Sequence, residues 1–91
     1  MERMEGKRLS RLEINTKSNV IDYTRSRVLP KIGYQRILKA PRQLVIERFD
    51  SLANAFSRKY IDDLEHEGLY DNGLTIDGYY MLKRLAEREI V

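Results

Sequence analysis

The chain predicts an all-α fold, and three observations carry that prediction. Apolar residues recur at helical spacing over two stretches, 45–64 and 76–90. Charged residues make up 34% of the 91 positions, among many Leu and Ile, a composition that favours helices over a β-sandwich. Only two prolines interrupt it, Pro30 and Pro41. The length suits one small domain with a tail. The expected organisation is a basic flexible N-terminal arm over residues 1–17 and a single helical domain over 18–91. That domain would hold a long central helix and a C-terminal helical hairpin.

Residues 1–17 show no sustained period. Leu9, Leu12 and Ile14 stand among Lys7, Arg8, Arg11 and Lys17, as in a mobile arm. A helix is expected from about Asn19, with Ser18 or Asn19 as its cap and Asp22 facing the positive helix end. Val20, Ile21, Thr24 and Val28 share one helical face. Pro30 should end this helix, because the residue before a proline is pushed out of the helical region. A short helix is expected over Tyr34 to Lys39. Pro41 suits the first position of the next one, where its missing N–H costs nothing.

Val45, Phe49, Leu52, Phe56, Tyr60 and Leu64 then lie three or four residues apart, with no Pro or Gly before Gly68. One amphipathic helix over about 41–67 fits, roughly 40 Å long at ~1.5 Å per residue. A break near Asn54–Ser57 would instead make a helix-turn-helix. Gly68 is a natural left-handed stop, and Asp71-Asn72-Gly73 a strong turn. Thr75 caps the last helix, whose apolar stripe is Ile76, Tyr79, Leu82, Leu85, Ala86 and Ile90. Phe49, Leu52, Phe56, Leu82 and Leu85 are the expected core or oligomer seam.

Composition also bounds function. A chain this short buries a modest core, so a homo-oligomer, such as a dimer, is expected. There is no cysteine, hence no disulfide framework and no thiolate metal site. The opening residues Met1 to Arg8 are charged with no apolar run behind them, unlike a signal peptide. No stretch approaches the roughly 20 apolar residues of a membrane span. An intracellular, cytoplasmic protein with no membrane partner is the expectation.

Charge is split along the chain. Residues 1–42 carry eleven Lys/Arg against four Asp/Glu, a sum of +7, whereas residues 43–91 sum to −4. Arg25, Arg27, Lys31, Arg36, Lys39 and Arg42 recur every two to five residues, with Tyr23 and Tyr34 between them. Clustered cations displace the counterions condensed on a phosphate backbone, and a tyrosine can add a hydrogen bond or a stacking face. These six are therefore the candidate nucleic-acid-binding residues. A solvated helix face, or docking on the acidic run Asp62–Glu67 of another subunit, is the competing explanation.

That acidic run occupies a helix end where the dipole disfavours negative charge. Arg58–Asp62 and Lys59–Asp63 at i,i+4 would offset part of the cost. His66, the one histidine, follows Asp62 and Asp63 on the same face, but a metal site there lacks a second His or any Cys. Tyr60 and Tyr79 fall on core stripes, and Tyr70 and Tyr80 could meet as an exposed aromatic contact. No Gly-rich phosphate loop, nucleophile elbow or two-His motif occurs. The chain is thus expected to be non-enzymatic and to need no cofactor.

Two stretches carry a resemblance. Tyr60-Ile61-Asp62-Asp63-Leu64-Glu65-His66-Glu67-Gly68-Leu69-Tyr70, followed by Leu74-Thr75-Ile76-Asp77-Gly78-Tyr79-Tyr80-Met81-Leu82-Lys83-Arg84-Leu85, resembles the tail of winged-helix regulators. There a recognition helix ends in a Glu-Gly-Leu-like turn, a wing follows, and a final helix opens with a Leu-Thr-x-x-Gly-like step. The resemblance covers about a quarter of the chain and implies a winged helix as the alternative fold.

The function these readings favour is a small regulatory or accessory protein. It would contact nucleic acid through its N-terminal half and self-associate through its C-terminal helices. The alternative is a protein-interaction module or inhibitor, of viral or mobile-element type, acting on a protein target.

Overall fold

The computed structural model describes residues 16–90, without the side chain of Ile90. Residues 1–15, most of the expected basic arm, lie outside the described residues. The described chain is all-α, with no strand among its residues. Five helices follow one another: α1 (residues 16–32), α2 (Tyr34–Lys39), α3 (Arg42–Leu52), α4 (Arg58–His66) and α5 (Ile76–Ile90).

α1 departs from expectation at both ends. It already includes Thr16, ahead of Asn19, and it runs through Pro30 rather than stopping there. A proline inside an α-helix lacks the N–H and drives its ring against the carbonyl four residues back. Here Thr24–Val28 form a π-helical turn, and the Leu29 N–H donates to the Thr24 carbonyl five residues back. The widened turn relieves the clash, so the α-helical geometry resumes over Leu29–Ile32. The Ser26 hydroxyl donates to the Asp22 carbonyl at 2.8 Å, a back-bond of the kind that bends helices. Gly33 separates α1 from α2, whose bounds are those expected from sequence. Pro41 is the cap of α3 rather than its first residue.

The stretch 41–67 forms two helices, the alternative with a break near Asn54–Ser57, rather than one. α3 ends at Leu52, Ala53–Ala55 form a turn of 3-10 helix, and Phe56 and Ser57 are extended before α4 begins. The continuation is broken by packing rather than by a breaker residue. Phe56 turns inward until it is 6% exposed, and the Ser57 N–H donates to the Tyr23 hydroxyl at 2.8 Å. An interior helical N–H would have bonded within the helix.

α4 closes as the sequence predicted. Gly68 takes φ +77°, its N–H donates to the Glu65 carbonyl, and the Leu69 N–H reaches back to Leu64 at 2.8 Å. This pair of bonds is a Schellman closure, which needs the left-handed residue that glycine supplies. The Asp71-Asn72-Gly73 turn follows, and Tyr70 and Leu74 across it form an isolated antiparallel bridge. The place of a wing is thus held by one bridge rather than by paired strands. Asp50 of α3 fastens the turn by accepting the Leu74 N–H at 2.9 Å. The Thr75 hydroxyl accepts the Gly78 N–H at 3.0 Å, the cap expected for α5.

α5 packs against the π turn of α1, against α2 and against α3. The core takes Val28 and Leu29 from α1, Ile37 from α2, Phe49 from α3, Leu64 from α4 and Leu82 from α5, all with no exposed area. Burying each such side chain contributes about 1.5–3 kcal/mol. Phe49, Phe56, Leu82 and Leu85 are buried within one chain, so they are core and present no seam to another subunit; Leu52 is half-buried. On α5 the stripe differs from expectation in two places: Ile76 is 47% exposed, and Met81 is buried.

Candidate nucleic-acid interface

The stretch between Asp22 and Glu47 contains six Lys/Arg and no carboxylate. The structure distributes them over three consecutive pieces: Arg25, Arg27 and Lys31 on α1, Arg36 and Lys39 on α2, and Arg42 at the start of α3. The last turn of α1 touches both α2 and α3, and α2 touches α3. The apolar residues of this corner point inward, with Ile32, Ile37 and Val45 buried. All six cations are consequently left on the outside and exposed. Arg36 and Lys39, three residues apart, share one face of α2.

Their partners differ. Arg25 donates through Nε to Glu89 Oε1 of α5 at 3.0 Å. The other five make no ion pair with any described residue. Arg25 is therefore partly neutralised from within the chain, and the unpaired charge centres on Arg27, Lys31, Arg36, Lys39 and Arg42.

Sequence reasoning missed two neighbours of this group. Arg36 lines a shallow concavity of about 460 Å³ together with Ala40, Leu44, Glu47 and Arg48. Arg48 falls in the acidic half of the chain, so a division by sequence position hid it. Leu44 is 53% exposed there.

The cations of α4 are in a different state. Arg58 Nε lies 3.7 Å from Asp62 Oδ1, and Lys59 Nζ lies 3.0 Å from Asp63 Oδ2. Both i,i+4 pairs expected from sequence are formed. This helix, the counterpart of a recognition helix in the winged-helix comparison, meets solvent with its positive charges already matched. His66 is exposed, and no group of three His, Asp or Glu among the described residues could hold a metal ion.

The tyrosines expected to interleave with the cations are turned toward the protein. Tyr23 stacks on Tyr60 with ring centroids 4.4 Å apart and presents an edge to Phe56. Tyr34 is half-buried against the core. Tyr60 and Tyr79 are buried, as their stripes implied. Tyr70 packs near Phe49 rather than near Tyr80, which instead meets Tyr79. Tyr80 lines a groove of about 540 Å³ at the start of α5, among Val20, Leu69 and Met81 and the charged Lys17, Glu67, Asp77 and Arg84.

No helix of the described residues is long and apolar enough to cross a membrane. No protein-family model matches the chain, and neither a curated protein nor a solved structure does.

Proposed function

We propose that this chain is a small, non-enzymatic nucleic-acid-binding protein of regulatory or accessory type. It contacts phosphates through Arg27, Lys31, Arg36, Lys39 and Arg42, with Arg25 at the margin. The carrying observation is the carboxylate-free run from Tyr23 to Ile46, whose cations are exposed at a corner built from three touching helices. Such a patch is a standing field that concentrates polyanion. Self-association belongs to the same reading and would use Ile76 and Tyr80, exposed one turn apart on α5.

Binding to a mixed-sequence nucleic acid, followed by fluorescence anisotropy across salt, tests the reading. Five phosphate contacts give a log–log slope of about −4.5 on a duplex. An absence of binding at low salt would sink the proposal. A solution mass on the same sample tests the oligomer.

A further inference from the structure

We infer that the nucleic acid suited to this surface is a duplex rather than a single strand. The inference rests on the phosphate-binding reading above and concerns its substrate class. Proteins that hold single strands combine a basic groove with aromatic platforms, each stacked base contributing about 1–3 kcal/mol. The sequence offers rings beside the cations, but the fold withdraws them.

All eight aromatic residues lie among the described residues. Tyr23 has one face covered by Tyr60, and its hydroxyl is engaged by the Ser57 N–H. Tyr34 and Tyr70 are half-buried against the core. Phe49, Phe56, Tyr60 and Tyr79 are each 6% exposed or less. Tyr80 is the single exposed ring, at 44%, and it shares its groove with Glu67 and Asp77. Lys17 and Arg84 line the same groove, so its charges balance and it offers a phosphate chain no net attraction beside the exposed ring. The large apolar side chain exposed among the cations is Leu44, which has no π face.

The surface is left without an aromatic platform, and its charge discriminates. Each neutralised phosphate contributes a salt slope of about 0.9 on a duplex but about 0.7 on a single strand. Over five contacts the gap is about one unit of slope, on the order of tenfold in affinity at 50 mM salt. The α2 pair Arg36 and Lys39 presents two exposed cations on one helix face, which suits a backbone of fixed spacing.

The test compares one fluorescein-labelled 20-nucleotide strand, free and annealed to its complement, by anisotropy at 50 mM salt with the full chain. A duplex at least about tenfold tighter, with a slope steeper by about one, supports the inference. Equal or tighter binding of the free strand overturns it while upholding the phosphate-binding reading. Binding of neither overturns that reading as well. The Tyr80→Leu variant supplies a second readout. Because Tyr80 also belongs to the proposed self-association surface, the readout is the ratio of duplex to free-strand affinity, which is expected to hold; a severalfold loss confined to the free strand would place the ring in the site and overturn the inference.

Discussion

The Thr24 hydroxyl and the Tyr60 hydroxyl lie 2.6 Å apart, and both residues are buried. Thr24 opens the π turn of α1, and Tyr60 is in the first turn of α4, 36 positions later. With the Tyr23–Tyr60 stack, this bond joins the helix that carries half of the candidate cations to the rest of the core. Thr24→Val keeps the shape but leaves the Tyr60 hydroxyl buried without a partner. A loss of about 1–3 kcal/mol in urea unfolding is expected. The double variant Thr24→Val with Tyr60→Phe removes both polar groups and should lose less than the sum of the singles. Additive losses would mean the bond contributes nothing.

The same burial shapes the alkaline limit of stability. Removal from water pushes the Tyr60 phenol well above its usual 10.0, only partly opposed by the Thr24 bond. The folded chain then holds a proton that the unfolded chain releases. The Tyr60 contribution is fully present below about pH 10 and falls as pH rises above it toward the folded value. At about pH 11, urea unfolding should add a step of phenolate absorbance. Tyr60→Phe should remove one tyrosine's share of that step.

Burial was more legible in the sequence than connectivity. Val45, Phe49, Phe56, Tyr60 and Leu64 all reach the core, as their spacing required. Yet an interval of four between Phe56 and the residues on either side fits an unbroken helix as well as two helices facing one core. Nothing in Ala53 to Ser57 is a breaker, and the partner that captures the Ser57 N–H is Tyr23, 34 positions away. Gly68 was legible because its motif is local. Pro30 was misread because the π turn that accommodates it has no signature within its own five residues. The cations were legible as a cluster, but the orientation of Tyr23 and Tyr34 was not, since it depends on α4.

Gly78 is a position where a single methyl group decides packing. A Cβ there would press on the Leu69 carbonyl oxygen and the Leu74 side chain. That carbonyl already accepts the Thr75 N–H at 3.0 Å, so it cannot withdraw freely. Gly78→Ala gains about 1 kcal/mol of helix propensity, but overpacking against backbone costs up to about 3 kcal/mol. A net loss of about 1–2 kcal/mol in urea unfolding is expected. Gly68→Ala is the contrasting case. Open space surrounds that position, so its cost of about 1 kcal/mol comes from the left-handed backbone alone. A Gly78→Ala protein more stable than the parent would show that the turn after α4 yields.

Charge reversal separates the phosphate surface from the rest of the chain. Arg36 and Lys39 are exposed and make no ion pair with any described residue. Arg36→Glu with Lys39→Glu should therefore leave stability within about 0.5 kcal/mol per site. The same change removes two phosphate contacts and adds two repulsions, so binding at low salt should vanish. Arg58→Glu is the matched control, since that guanidinium faces Asp62 on α4. It lowers net charge by the same amount per site but lies outside the corner formed by α1, α2 and α3. If the interface is local, Arg58→Glu retains most of the parent's affinity. If both proteins weaken equally per charge removed, binding follows net charge, and Arg36 and Lys39 have no special part in it.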